Sequence, residues 1–217
     1  MLRTANLCKL TNYFVTTTLG SCTCQMIPYQ QQAIPDWLQK EVEQYFIPLP
    51  FEPTSIVDIG ANIGAFAQRA HQQWPAAHIY CYEPMPFNLI QLRRNAPNGT
   101  TVVSAAVRAQ SGLDEIFIGD NFVTGGFSQL GRQTQKKLLV ECIAATEVPA
   151  ADLVKIDTEG SEVEILQSLS VETTKAIFLE YHSLDDSRRI RELLAPQFHL
   201  AYEHGEGQLG TYIFIRN

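Results

Sequence analysis

Short apolar segments and amphipathic segments alternate along most of the chain. Residues 55–59 predict an apolar strand, and residues 63–74 place apolar side chains at helical spacing. A second strand at 78–82, a helix at 86–95 and a third strand at 101–107, rich in β-branched residues, continue the order. Two consecutive β-α-β units of this kind predict an α/β domain with a doubly wound, mostly parallel sheet.

The second half of the chain interrupts this order once and then resumes it. Residues 114–118 and 137–143 predict strands around a glycine-rich loop at 123–128, which we interpret as a small insertion. The later elements are a strand at 153–156, a helix from 161, a strand at 176–181, a helix at 185–194 and strands at 198–203 and 209–215. Because residues 205–208 are short enough for a hairpin, we expect seven strands in the sheet, with an antiparallel C-terminal strand.

The first 50 residues have a different character. Residues 1–34 carry little charge and no steady period, whereas residues 35–46 show helical spacing and precede three prolines between 48 and 53. We interpret residues 1–50 as an N-terminal arm and helix that form a candidate cap. Residues 51–217 are then the main domain.

The turn after the first strand carries the main functional signal. Gly60 permits a tight turn and Gly64 lets the helix approach the strand, and both leave room for a flat ligand. Glu83 ends the second strand 19 residues after Gly64, where a carboxylate can accept hydrogen bonds from a ribose diol. Asn62 replaces the second glycine of the dinucleotide fingerprint, which favours a nucleoside with an amino-acid tail over a pyrophosphate. Asp58 is available to the ammonium group of such a tail, directly or through water.

In three ordered segments the sequence resembles the FkbM-type methyltransferases, a family of Rossmann-like enzymes that use S-adenosylmethionine. The segments are residues 57–64, residues 82–84 with Asn88, and residues 152–162. By this resemblance the cofactor-binding candidates are Asp58, Gly60, Asn62 and Gly64 at the methionine part, Glu83 at the ribose, Ser104, Ala105 and Ala106 at the adenine, and also Pro84, Asn88 and Asp157. The family is associated mainly with O-methylation of sugars, polyketides and other small molecules.

Several ionisable residues follow the two strands predicted beside this turn, namely Asp157, Glu159, Glu180 and His182. His182 is our first candidate for the general base, because its unperturbed pKa of about 6.5 suits neutral pH. A helix-capping role for His182 is an equal alternative. Asp157 is the second candidate and could equally hold the cofactor or the substrate, and Glu180 is the third. The same group can bind a divalent metal, although these spacings do not define a ligand set.

Two further acids, Glu162 and Glu164, begin the helix predicted from residue 161. Ser161 and Glu164 have the spacing of a capping box. Negative charge in the first turn of a helix is also favoured by the helix dipole. We therefore interpret Glu162 and Glu164 as structural.

The amino-acid composition limits the classes of binding partner that we expect. The 217 residues carry 16 basic and 23 acidic side chains, a formal charge of −7, which gives nucleic acid or an anionic membrane no electrostatic reason to bind. No segment approaches the roughly 20 apolar residues of a membrane span. The five cysteines have no CxxC spacing, so neither a disulfide framework nor a structural zinc site is indicated. We expect a cytoplasmic protein with a small-molecule acceptor, and a homodimer is one of the open oligomeric states.

The predicted function is an S-adenosylmethionine-dependent O-methyltransferase acting on a hydroxyl of a small molecule. Oxygen is favoured over nitrogen because residues 157–160 lack the Asn/Asp-Pro-Pro-Tyr box of many nitrogen-directed enzymes of this fold. A nicotinamide-dependent oxidoreductase is one alternative, which Asn62 disfavours. A binding or scaffold protein that keeps the fold without the chemistry is another.

Overall fold

A seven-stranded sheet forms the centre of the computed structural model, which describes residues 33–118, 125–126 and 137–217. In chain order the elements are α1 (Asp36–Glu43), β1 (Ser55–Ile59), α2 (Ala65–Gln73), β2 (His78–Tyr82), α3 (Pro86–Asn95), β3 (Thr101–Val103), β4 (Ala106–Arg108), β5 (Gly112–Ile118), β6 (Gly125–Gly126), β7 (Lys137–Ala144), a 3-10 turn (Ala145–Glu147), β8 (Leu153–Ile156), α4 (Glu162–Ser168), β9 (Ala176–Tyr181), α5 (Leu184–Leu194), β10 (Phe198–Glu206) and β11 (Leu209–Arg216). None of the helices in these described segments is long and apolar enough to cross a membrane.

The strand order of the large sheet is β10-β11-β9-β8-β1-β2-β3. In this order the five neighbouring strands β9, β8, β1, β2 and β3 pair in parallel. Strand β11 is antiparallel to both β9 and β10. This arrangement confirms the predicted fold class, including the antiparallel C-terminal strand. The chain leaves β1 toward β2 on one side and later returns to β8 on the other side. In such sheets a ligand binds at this reversal, beyond the carboxyl ends of the strands.

Apolar clusters cover both faces of the sheet. On one face, residues of α2 and α3 such as Phe66 and Leu92 pack with Ile56 and Phe178 from the strands. On the other face, α4 and α5 pack against the opposite sides of β8, β9 and β11. All four residues of β8 are buried, as expected for a central parallel strand with helices on both faces. The two layers of helices therefore fix the strand ends that form the site.

The predicted third strand is wrong as a single element. Val103 in β3 pairs with Tyr82 of the large sheet, but Ala106 in β4 pairs with Cys142 of a second sheet. The second sheet has the order β4-β7-β5-β6 in the described residues. The β-branched residues at 101–107 predicted one continuous strand, because the sequence pattern does not show that β7 of the insertion pairs with the second half of this segment. The insertion strands themselves, β5 and β7, are confirmed, and most of the glycine-rich loop at 123–128 lies outside the described residues.

The helix before the main domain packs directly on the apolar core. Tyr45 follows α1 and is almost fully buried, with its ring 5.8 Å from Phe66 and 6.0 Å from Phe178 between ring centroids. Arg69 of α2 also forms an ion pair of 2.7 Å with Glu43. The contacts hold α1 beside the carboxyl end of the sheet. Nearly all of the predicted arm at 1–34 lies outside the described residues.

Candidate functional site

The turn between β1 and α2 cannot accept a side chain at its first glycine. Gly60 has a φ of +79°, and a Cβ added there would lie 1.8 Å from the carbonyl oxygen of Asp157. The amide groups of Gly60 and Ala61 both donate to the Tyr82 carbonyl at 3.0 Å. Gly64 has a φ of +91°, with the Leu92 side chain 3.0 Å from an added Cβ. The glycines thus let three strand ends meet around one open crevice.

Glu83 is fixed at the wall of this crevice by three hydrogen bonds. Its carboxylate accepts from the amides of Asn62 at 2.9 Å and Met85 at 2.8 Å, and from Asn88 Nδ2 at 3.3 Å. Burial raises the pKa of Glu83 to about 7, although these hydrogen bonds oppose the shift. The second strand therefore presents a rigid acceptor, rather than a freely rotating acid.

Asn62 offers an acceptor that the described part of the protein leaves unused. Its backbone has a φ of +51°, in the left-handed region that Asn tolerates better than most residues. Its Oδ1 atom is buried and has no hydrogen-bond partner among the described residues. Because buried polar atoms are normally paired, Oδ1 fits a donor supplied by a ligand, such as an ammonium group.

A buried lysine connects the first and fourth parallel strand ends. Lys155 Nζ lies 3.2 Å from Asp58, 3.4 Å from Asp157 and 2.9 Å from the carbonyl oxygen of Gly60. Burial disfavours the ammonium form, but the two carboxylates outweigh it and raise the pKa of Lys155. Burial also raises the pKa of Asp58, and the lysine charge opposes this. Sequence reasoning missed Lys155, although a lysine within the apolar segment 153–156 was a visible signal.

A cavity opens over the carboxyl ends of the central strands. Of the residues expected at the cofactor or reaction site, its wall includes Gly60, Asn62, Glu83, Pro84, Asn88, Ala106, Asp157 and Glu180. The segment containing α1 contributes Trp37, Leu38, Glu41, Val42 and Tyr45 to the same wall. Eight of the thirteen expected site residues therefore line this cavity, and their roles stay predictions, whereas the sequence analysis did not place the residues of the α1 segment there.

The other expected residues lie away from this wall. They are Asp58, Gly64, Ser104, Ala105 and His182. Asp58 is fully buried beneath the turn, where its carboxylate faces Lys155. Ser104 and Ala105 form the link between the two sheets, because the predicted strand is divided there. Of that segment, Ala106 reaches the cavity.

Two carboxyl groups, those of Asp157 and Glu180, form a hydrogen-bonded pair on the wall of the cavity. Glu180 and Asp157 are hydrogen-bonded to each other through their side chains. Burial and the charge of Asp157 raise the pKa of Glu180 to about 9. Burial opposes ionisation of Asp157 as well, but the charges of Lys155 and His182 outweigh it and lower its pKa. These opposite shifts favour the ionised form of Asp157 and the protonated form of Glu180 at neutral pH.

His182 lies behind this pair with its ring mostly enclosed. Burial favours the neutral ring, but the hydrogen bond and charge of Glu162, followed by the charges of Asp157 and Glu180, raise the pKa of His182 to about 9. The argument that chose His182 as the base rested on an ordinary pKa near neutrality. A pKa of about 9 does not match that argument, because it favours the protonated imidazole at pH 7, and the role of His182 as general base stays a prediction.

The cluster can also be considered as a ligand set. Asp157, Glu180 and His182 each offer one atom within 4.8 Å of the others. Such a spacing is compatible with a divalent cation. The shared proton and the Lys155 ammonium already balance much of the same negative charge. The divalent metal therefore stays a prediction.

Helix α4 begins differently from the predicted capping box. The N-cap residue, Ser161, makes no side-chain capping hydrogen bond. Glu164 pairs instead with Arg108 at 3.0 Å and accepts from the amide of Ala109 at 2.8 Å. These contacts tie α4 to the second sheet, so the capping-box prediction is wrong.

A comparison with solved structures identifies the class of protein. Ribosomal protein L11 methylase from Lactobacillus delbrueckii subsp. bulgaricus superposes with a TM-score of 0.50 at 12% identity, covering 83% of this chain and 76% of that one. At this identity the likeness concerns the fold. Together with the sheet order, it shows a Rossmann-like methyltransferase fold.

The family follows from the sequence itself. The Methyltransferase FkbM domain matches residues 58–204, and the chain belongs to this family. Hexuronic acid methyltransferase AglP from Haloferax volcanii is 26% identical over 146 residues, which cover 64% of this chain and 60% of that protein. The matched segment thus spans less than two thirds of that relative. The family match confirms the resemblance of the three sequence segments.

Proposed function

We propose that this methyltransferase uses S-adenosylmethionine to methylate an oxygen of a small molecule, with a hydroxyl group as the expected acceptor. The observation that carries the proposal is the meeting of two walls in one cavity. On one wall, Glu83 and Asn62 offer hydrogen-bond acceptors suited to a nucleoside with an amino-acid tail. On the other wall, the Asp157–Glu180 pair offers a carboxylate to the substrate that receives the methyl group.

The residues of the chain fit such a cofactor in distinct ways. Glu83 would accept from the ribose hydroxyls, and Asn62 Oδ1 would accept from the ammonium group. Pro84, Asn88 and Ala106 would shape the nucleoside wall, while Asp58 would act through Lys155 rather than touch the ligand. The cofactor supplies an electrophilic methyl group on a sulfonium. We also propose that α1 caps this cavity, since five residues of its segment lie on the wall.

Alignment of the acceptor dominates the expected rate enhancement. Orientation can supply about 7 to 11 kcal/mol, whereas a general base typically contributes a factor of about 100 to 10,000. An acceptor hydroxyl would lose its proton to the ionised Asp157 as its oxygen forms the bond to the methyl carbon. S-adenosylmethionine, if bound at this wall, would supply the methyl group and leave as a neutral thioether. His182 would stabilise ionised Asp157 from behind instead of removing the proton itself.

The class of acceptor is supported by the family and by one relative. Hexuronic acid methyltransferase AglP is named for a sugar acid, whose hydroxyl and carboxylate groups both present oxygen. Residues 157–160 read Asp-Thr-Glu-Gly and lack a Pro-Pro-Tyr box. Sugars, polyketides and other secondary metabolites that carry a free hydroxyl are therefore the acceptors to test.

The proposal is tested by following a labelled methyl group. Protein with ¹³C-methyl S-adenosylmethionine is incubated with a panel of hexoses, hexuronic acids, polyketide alcohols and amino sugars, and the products are identified by NMR. The expected result is a new methyl ether or methyl ester. A methyl group transferred to nitrogen would contradict the proposal.

Replacement of Glu83 tests the cofactor wall. Glu83→Ala should weaken binding of S-adenosylhomocysteine by about 10-fold or more, since a hydrogen bond to a charged group is worth roughly 1.5 to 3 kcal/mol. Titration calorimetry measures the affinity. Glu52→Ala, an exposed acid before β1, serves as the control and should bind like the wild type. Equal affinity of Glu83→Ala and the wild type would remove Glu83 from the cofactor site.

A further inference from the structure

Glu162 holds the loop that follows β8. The residue is fully buried at the start of α4. Its Oε1 atom accepts from the amide of Thr158 at 2.9 Å, from the Thr158 hydroxyl at 3.1 Å and from the amide of Gly160 at 3.1 Å. A residue that served the helix dipole alone would not need this burial. Glu162 therefore ties α4 to the loop that carries Asp157.

The same carboxylate also faces His182. The distance from His182 Nδ1 to Glu162 Oε1 is 3.3 Å, and the His182 side chain is 9% exposed. Both Nδ1 and Glu162 Oε2 are buried and have no hydrogen-bond partner in the described part of the chain. Because buried polar atoms are normally paired, these two atoms are available to each other. Glu162 is therefore the carboxylate in ion-pair contact with Nδ1.

The opposite edge of the ring points toward the acids of the cavity. His182 Nε2 lies 3.8 Å from Glu180 Oε2 and 3.9 Å from Glu159 Oε2. These separations are too long for hydrogen bonds. The Nε2 edge of the ring therefore lies behind the Asp157–Glu180 pair.

We propose that Glu162 is a positioning residue of the active site, which anchors His182 through Nδ1 and holds the imidazolium behind the Asp157–Glu180 pair. The inference deepens the proposed function and rests on it. It assigns Glu162 a role beyond the helix dipole, through its contact with His182, whose ring has a nitrogen within 4.8 Å of an Asp157 carboxylate oxygen. The charge of His182 is one of the causes that lower the pKa of Asp157, so the anchor supports the ionised carboxylate.

Several carboxyl groups face His182, and one of them is closest. Within the described residues they are Glu162 from α4, Asp157 and Glu159 from the loop after β8, and Glu180 from β9. The Glu162 oxygen lies 3.3 Å from the ring, whereas the oxygens of Glu180 and Glu159 lie 3.8 Å and 3.9 Å from it. Removal of the Glu162 charge should therefore lower the pKa of His182 more than removal of any other single carboxylate in this set.

The test compares Glu162→Gln with Glu164→Gln in the full-length protein. Glutamine at 162 keeps a carbonyl oxygen for the amides of Thr158 and Gly160 but loses the charge. The control Glu164→Gln removes a carboxylate two residues away that contacts Arg108 instead. The His182 ring is titrated by ¹H–¹⁵N NMR and assigned with His182→Asn.

In Glu162→Gln we expect the His182 titration midpoint to fall by about one pH unit or more. Glu164→Gln should titrate like the wild type. An unchanged midpoint in a folded Glu162→Gln protein would overturn the inference. If that variant does not fold, the wild-type spectrum decides: a protonated Nδ1 at pH 7 supports the anchor, and an unprotonated Nδ1 overturns it.

Two readouts keep this inference separate from the proposed function. Wild-type protein that fails to bind S-adenosylhomocysteine would reject the proposed function, whatever the histidine does. Wild-type binding together with an unchanged His182 midpoint in Glu162→Gln would reject the positioning role alone. A pH profile of methyl transfer that shifts in Glu162→Gln and not in Glu164→Gln would support both.

Discussion

At the scale of single residues, the site depends on Gly60, whose role could be predicted from the sequence, and on Lys155, whose role could not. Gly60 was expected to permit a tight turn, and the structure adds that a Cβ there would overlap the Asp157 carbonyl. Lys155 was not expected, because its ion pair with Asp58 joins two strands through residues that are 97 positions apart in the chain. A local sequence pattern can show where the backbone requires glycine. An ion pair between distant strands can be identified only once the order of the strands in the sheet is known.

Substitution of Gly60 tests the close approach at the turn. Gly60→Ala should lower the free energy of unfolding by about 3 kcal/mol or more, since the new Cβ must displace backbone as well as adopt a positive φ. Gly99→Ala is a matched control, because Gly99 has a φ of +89° with nothing within 4 Å of an added Cβ. Its cost should be about 1 kcal/mol, from the backbone alone. Equal losses in urea denaturation would contradict the overlap.

At the scale of helices and strands, local periodicity predicted most elements and failed where pairing decides. The strands at 153–156 and 176–181 were predicted with their observed bounds, because buried strands in a parallel sheet form continuous apolar runs. The run at 101–107 was divided between two sheets, since β7 pairs with its second half. The position of α1 on the cavity wall likewise depends on tertiary packing that the spacing of residues 35–46 does not specify.

Substitution of Tyr45 tests the attachment of the segment that carries α1. Tyr45→Ala should reduce the free energy of unfolding by roughly 3 kcal/mol, because the ring fills space between Phe66 and Phe178. Tyr45→Phe keeps the ring and removes the hydroxyl that bonds Thr211, so its loss should be near 1 kcal/mol. Urea denaturation measures both. Similar losses in the two variants would show that the aromatic packing contributes little.

At the scale of the whole molecule, buried and partly buried ionisable groups concentrate at the carboxyl end of the parallel strands. Glu83, Lys155, Asp157, Glu180, Glu162 and His182 all lie near the carboxyl ends of the central strands. Sequence analysis located most of this group, because strand ends in an α/β sheet share one edge. It could not assign the proton states, since those depend on burial and on which charges meet.

The proton states predict a pH dependence of stability. His182 has a folded pKa of about 9, above the unfolded value of about 6.5, so the native state holds a proton that the unfolded chain releases. This contribution is fully present below pH 6.5 and is lost as the pH rises to 9, on the order of 3 kcal/mol. The raised pKa of Glu180 acts in the same direction. Urea denaturation at pH 6.5 and pH 9 should therefore show lower stability at pH 9, and His182→Gln should reduce the difference. Equal stability of the wild type at both values would contradict these proton states.

The central claim is that the crevice above β1 and β2 is shaped for the nucleoside of S-adenosylmethionine rather than for a dinucleotide. Titration calorimetry of the wild-type protein with S-adenosylhomocysteine and with NAD tests this claim most directly. We predict one-site binding of S-adenosylhomocysteine and no measurable heat with NAD. Binding of NAD without binding of S-adenosylhomocysteine would contradict the account.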